Sequence, residues 1–199
     1  MNSNEVLDFW IGSLNNLGLA NEEIQGYWFQ SNKEFDQKIT DSFGILLEDI
    51  KSGLYKEWLS DITSALAYVI TLDQFSRNIH RGSAEAFAQD SLAVSVTLNF
   101  LSSSSQLPTH YRLFLYMPLM HSEQLTHHEQ LDAILKSEIA NSSDPEVLSF
   151  WKKAYKAAEA HRLIIEKFSR YPHRNLTLGR ESTTEEVRYL EQGANRYGQ

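Results

Sequence analysis

Residues 144–174 read DPEVLSFWKKAYKAAEAHRLIIEKFSRYPHR, and this stretch decides the fold class. Asp144 before Pro145 is an N-cap with proline at the first helical position, where its missing N–H costs nothing. Leu148, Trp151, Tyr155, Ala158, His161 or Arg162, Ile165 and Phe168 then recur at three- and four-residue steps. That is the period of an amphipathic helix. Pro172 forbids much further propagation, so the spacing predicts a helix from 145 to about Arg170.

The same signals extend in both directions. A short apolar helix is expected over Glu5–Ile11, ended by Gly12; a loop follows, and Tyr27-Trp28-Phe29 is read as a core cap. A helix is expected from about Asn32 to Lys51, and another from Ser60 or Asp61 to about Asn78. In the latter, Ile62, Leu66, Val69 and Ile70 point inward and Asp73 continues their stripe. Ser83 opens a helix to about Leu101, with Phe87, Val94, Leu98 and Leu101 inward and Asp90 on the same face. Ser102–Ser105 is a polar linker. A helix near Thr109–Tyr116 is interrupted by Met117–Glu123, and one more spans Glu123–Ile139. Thr183-Thr184-Glu185-Glu186 is a capping box for a last helix to about Glu191. Alternating β-branched runs are absent. The expectation is an all-α chain of about eight helices in a helical-hairpin array with an approximate internal repeat. It reads as one domain over residues 1–192, with a frayed tail over 193–199.

The repeat shows in the motif that ends the quoted stretch. Residues 166–174 are Glu-Lys-Phe-Ser-Arg-Tyr-Pro-His-Arg, and residues 73–81 are Asp-Gln-Phe-Ser-Arg-Asn-Ile-His-Arg. An acid, Phe-Ser-Arg and His-Arg recur at one spacing. The match gathers Arg77, Arg81, Arg170 and Arg174 with His80 and His173 in a chain of net charge -8. All nine Arg and all seven His lie from Arg77 onward. The plain interpretation is two helix C-termini, each carrying an acid–base pair at i, i+4 and cations in the last turn. The functional interpretation is a shared pocket for carboxylate or phosphate. Helix starts after Arg81 and Arg180 add backbone N–H donors, and Asn175 and Gly179 permit a tight loop from Arg174 to Arg180.

Composition excludes other classes. The chain has 199 residues and no cysteine, so thiolate chemistry and disulfides are out. The acidic balance argues against a nucleic-acid surface. No run is long and apolar enough to span a membrane, and Met1–Glu5 has no signal-peptide character. A cytoplasmic soluble protein is the expectation. The sequence does not indicate an oligomeric state.

Two further constellations are weaker. His121-Ser122 stands at a helix start, where Ser122 reads as an N-cap. Adjacent side chains there diverge, and no Gly-x-Ser-x-Gly elbow occurs, so serine nucleophilic catalysis is not favoured. Glu123, His127, His128 and Glu129 share one helix, with His121 and His161 able to join them. No metal-binding signature is present, and neither metal nor cofactor is expected.

Three ordered stretches carry a resemblance. They are Leu72–Gly82 with Ala86–Asp90; Tyr116-Met117-Pro118-Leu119-Met120-His121-Ser122-Glu123; and His161 with Phe168–Asn175, Leu178-Gly179-Arg180 and Ser182-Thr183. Together they resemble the bacterial family called domain of unknown function 924, from Val6 to Leu190. The resemblance implies an all-helical, tetratricopeptide-repeat-like (TPR-like) fold and no established activity. Asp73, Arg77, Arg81, His121, Glu123, His161, Arg170, His173, Arg174 and Arg180 match its pattern. Ser76, His80, Ser169 and Tyr171 depart from it, standing where Pro, Phe or Tyr, Gly, and Phe are usual.

The functional expectation is an Arg/His pocket that binds a small anion or an acidic peptide end. Asp73, Arg77, Arg81, His161, Arg170, Arg174, Asn175 and Arg180 are the candidate ligand-binding residues. The alternative is a hydrolase or transferase in the same pocket. There His121 or His173 acts as general acid/base, Glu123 or Asp73 orients it, and the arginines stabilise developing charge. The third reading is a structural ion network with no ligand.

Overall fold

A computed structural model describes residues 1–28 and 31–193; Phe29 and the tail beyond Gly193, assigned above to a core cap and to fraying, lie outside the described residues. The described residues are helical and carry no strand beyond one isolated bridge, Leu14 to Ala20. The all-α expectation holds. No described helix is long and apolar enough to cross a membrane. Two compact units are present, the first from Met1 to Pro118 and the second beginning at Leu119.

The first unit contains α1 (Ser3–Trp10), α2 (Glu22–Trp28), α3 (Lys33–Lys51), α4 (Ile62–Ile70), α5 (Ser76–Ile79) and α6 (Asp90–Phe100), with most of α7 (Thr109–His121). Caps set the starts. Asn32 accepts from the Glu34 and Phe35 amides, and Asp61 from those of Thr63 and Ser64, which satisfies N–H groups the helix cannot. The core is aromatic. Trp10, Phe75 and Phe114 are fully buried. Trp10 meets Phe75 edge-on at 5.5 Å and Phe114 at 5.8 Å. The Trp28 indole N–H donates to the Trp10 carbonyl at 2.7 Å.

Five features depart from the sequence reading. α2 forms where a loop was expected. Helix α4 passes into α5 through a π-helical turn at Thr71–Phe75. Ser83–Leu101 is no single helix: a 3-10 turn at Ala84–Phe87 precedes α6, and Leu98 is exposed while Ala93, Val94, Val96 and Thr97 are buried. The Ser102–Ser105 linker lies in a 3-10 segment, Leu101–Gln106. Helix α7 also runs through Pro118 instead of stopping before it. Pro118 removes one rung of the helix ladder. The carbonyl it leaves without an in-helix donor is that of Phe114; the next one, Leu115, accepts the Thr97 hydroxyl at 2.9 Å.

The second unit is built on α8 (Leu125–Asn141), which packs against α9 (Pro145–Phe168), followed by a 3-10 turn at Pro172–Arg174 and α10 (Thr184–Glu191). Asp144 caps α9 as its sequence implies. Thr183 and Glu186 form the capping box of α10. Leu131, Leu135, Trp151, Ile164, Ile165 and Tyr171 fill the interior. Helix α9 ends at Ser169, whose φ of 58° is left-handed. That conformation closes the helix and redirects the chain into the motif's His-Arg half.

Candidate functional site

The two copies of the repeated motif lie in different units. In the first, the π turn buries Asp73 to 1 % exposure. Asp73 accepts from Arg77 at 3.1 Å and from the Gln74 amide at 2.5 Å. Arg77 also reaches Asp90 at 3.0 Å and lies over the Phe87 ring. Arg81 clasps Asp36 through Nε at 2.8 Å and Nη2 at 2.9 Å, and Asn78 adds a bond to the same carboxylate. Burial alone pushes the Asp36 pKa up, but Arg81 and Asn78 outweigh it and hold the carboxyl below its ordinary range. Each acid therefore meets a cation of its own unit, which is how a buried charge survives.

In the second copy the partners differ. Glu166 pairs backwards with Arg162 instead of forwards with Arg170. Arg170 grips the buried Glu186 at 2.6 and 2.8 Å and also bonds the Glu181 carbonyl. Its guanidinium is the main reason the Glu186 pKa falls to about 2, helped by the Thr183 amide. Arg180 makes a two-pronged bond to Glu123 at 2.7 and 3.0 Å. The Tyr171 amide donates to Glu123 as well, at 2.8 Å. Asn175, 1 % exposed, fixes the loop by accepting from Arg180 Nε and donating to Ser182. Both Glu123 oxygens are thus held by Arg180.

Around Tyr171 the same unit gathers imidazoles. The ring centroid of Tyr171 lies 5.3 Å from His173, 5.8 Å from His161 and 6.3 Å from His128. The Arg174 guanidinium stacks over Tyr171 at 4.7 Å. Tyr171 is anchored through its hydroxyl, which donates to the Met120 carbonyl. Burial is the leading cause of low basicity here. It brings His173 to about 3, with Arg174 and His161 adding repulsion against a modest pull from Glu123. It brings His161 to about 4, with repulsion from His121, His128 and Arg174 opposing the stabilising bond to the Ala157 carbonyl. Near neutral pH these rings are uncharged. His161 Nδ1–H donates to Ala157 at 2.8 Å, so its Nε2 carries a lone pair.

His121 therefore belongs electrostatically with His161 and His128. Ser122 does not pair with His121, its neighbour in sequence; its hydroxyl meets His127 Nδ1 at 2.7 Å. Among the described residues, no three His, Asp or Glu side chains converge as a metal ion needs. The sequence reading missed Asp36 and Glu186 as arginine partners and Tyr171 as the centre of the imidazole group. Asp36 and Glu186 stand 45 and 16 residues from their partners, beyond what local spacing signals. Tyr171 had a signal, an aromatic joined directly to Pro172-His173-Arg174.

Comparison with known proteins agrees with this all-helical architecture. Residues 6–194 match the model of the family described as bacterial protein of unknown function, DUF924, and the chain belongs to that family. A solved protein of unknown function, ATU0120 from Agrobacterium tumefaciens, is 28 % identical with a TM-score of 0.79. The alignment covers 96 % of this chain and 97 % of that one. Curated proteins give no match.

Proposed function

We propose that the second unit binds a small anion, phosphate or carboxylate, at the group formed by His121, His161, His173 and Arg174. The observation that carries this is the Arg174 guanidinium, stacked over Tyr171 at 4.7 Å, on the same ring that His161 and His173 flank. Its positive field acts against protonation of both buried imidazoles. The nearby acid, Glu123, is bonded by Arg180 and the Tyr171 amide and also feels the Arg174 charge. An arriving anion reverses the sign of that field and relieves it. His161 Nε2 can then accept the O–H of a hydrogen phosphate or take up a proton itself. Asn175, Arg180 and Glu123 position the loop that carries His173 and Arg174. An acidic peptide end supplies the same carboxylate chemistry.

In the first unit a structural reading is better supported. Asp36, Asp73 and Asp90 engage Arg81 and Arg77 within the unit, so Asp73, Arg77 and Arg81 serve as an internal ion network rather than ligand groups.

Thermal unfolding in phosphate, citrate and chloride at matched ionic strength tests the anion site. Saturating phosphate or citrate at a hundredfold excess over Kd adds about 2.7 kcal/mol by mass action. Arg174→Gln and His173→Asn remove that gain. Equal melting of the wild type in all three salts refutes the proposal.

A further inference from the structure

We propose that Ser122 and His127 form a nucleophile–base pair able to attack carboxylic esters and comparable acyl or phosphoryl donors. This site is separate from the anion group above. The Ser122 hydroxyl lies 2.7 Å from His127 Nδ1 and accepts the Gln124 amide at 3.1 Å. The Ser122 carbonyl is held in turn by His128 Nε2 at 2.8 Å. With the Gln124 N–H on one lone pair, the hydroxyl can direct its proton at Nδ1. A helix cap uses the serine oxygen only as an acceptor; the imidazole on the hydroxyl is what a cap does not require. Ser122 is buried, whereas His127 is half-buried and keeps access to solvent. Burial lowers His127 basicity, leaving the ring neutral and able to accept a proton at pH 7.

The pair sits at the start of α8, a helix of 17 residues. In the reaction, the Ser122 Oγ–carbon bond forms as its proton passes to His127 Nδ1. The tetrahedral oxyanion collapses, the ester C–O bond breaks, and the alcohol leaves with the proton from His127. Water, deprotonated by the same imidazole, then releases the acid and restores Ser122.

An alkyl fluorophosphonate tests the pair on the full chain. Ser122 Oγ forms a bond to phosphorus, fluoride leaves, and the hydroxyl proton goes to His127 and then to solvent. The expected result is one adduct, mapped to Ser122 by tandem mass spectrometry. Its rate rises with pH through a midpoint below 6.5 and is flat above it. His127→Gln slows labelling by about 10²–10⁴-fold, the usual contribution of a general base, and Ser122→Ala abolishes it. Absence of a Ser122 adduct in the wild type overturns the proposal. So does a rate that climbs without a plateau as hydroxide increases, or an unchanged rate in folded His127→Gln. The wild-type measurements decide the matter even if a variant fails to fold.

Discussion

Phe75-Ser76-Arg77 and Phe168-Ser169-Arg170 are the same three residues in two backbone conformations. Ser76 is helical, with φ of -56°; Ser169 is left-handed, with φ of 58°. That one dihedral separates the fates of the motifs. In the first copy the helix continues through the serine, so Arg77 stays above Asp73, four residues back, and the acid is sealed inside. In the second the helix stops at the serine. Arg170 is turned away from Glu166 toward Glu186, and Glu166 is left exposed beside Arg162. Repetition in sequence therefore does not imply repetition of partners. The closed copy favours architecture, and the redirected copy delivers His173 and Arg174 to the imidazole group round Tyr171.

The acids at the head of each copy give the largest test of this contrast. Asp73→Ala removes the fully buried acid of the Arg77 network and leaves Arg77 with Asp90 as its carboxylate, and breaking such a buried pair costs about 3–5 kcal/mol. Glu166→Ala breaks a half-exposed pair and costs less than about 1 kcal/mol. Urea denaturation of both variants measures the difference. Equal losses break the distinction between a structural and a redirected copy.

Acid sensitivity comes next in size. His161 and His173 have folded pKa values of about 4 and about 3 against an ordinary 6.5. Below 6.5 the unfolded chain binds protons that the folded chain refuses, so stability falls as pH drops from 6.5 toward 4 and 3. The slope approaches about 1.4 kcal/mol per pH unit for each histidine. Above 6.5 their contribution is flat. Glu186, whose pKa is lowered to about 2, adds a separate loss as pH falls through 4.5. Chemical unfolding between pH 7 and 5 isolates the histidines, because Glu186 is ionised throughout. His161→Asn and His173→Asn should each flatten that limb. An unchanged slope in both variants removes the buried-imidazole account.

How much of this was legible follows the range of each interaction. Asn32, Asp61, Asp144 and the Thr183–Glu186 box announced their helices, because a cap acts within three residues of itself. The burial of Asp73 was legible too, since it continues the Ile62–Ile70 stripe. The π turn was not, because it adds one residue to the helical repeat without a residue type of its own. The segment around Pro118 was read as an interruption, but α7 continues through it to His121, because a proline removes a single rung and the rest of the ladder can carry on. At the candidate site, residue types pointed to cations and imidazoles. The pairing of those groups rests on Asp36, Glu123 and Glu186, which reach their arginines only after the chain folds. Local spacing predicted Arg170 on Glu166 for the same reason that it succeeded with Arg77 on Asp73: both assume an unbroken helix.

The smallest prediction tests that assumption at its source. An L-residue in the left-handed region costs roughly 1–2 kcal/mol relative to the right-handed one, and glycine avoids it. Ser169→Gly relieves this cost but loosens the unfolded chain, which offsets roughly 0.5–1 kcal/mol. The net expectation is a stabilisation of up to about 1 kcal/mol. At Ser76 the same substitution meets a helical backbone. There glycine relieves no backbone strain, and because the buried Ser76 hydroxyl has no partner of its own, the helix cost is read against Ser76→Ala, relative to which glycine loses about 0.5–1 kcal/mol. Urea midpoints should rise for Ser169→Gly over the wild type and fall for Ser76→Gly below Ser76→Ala. Movement in the same direction would mean that the serine conformations do not distinguish the copies, and the difference in arginine partners would need another cause.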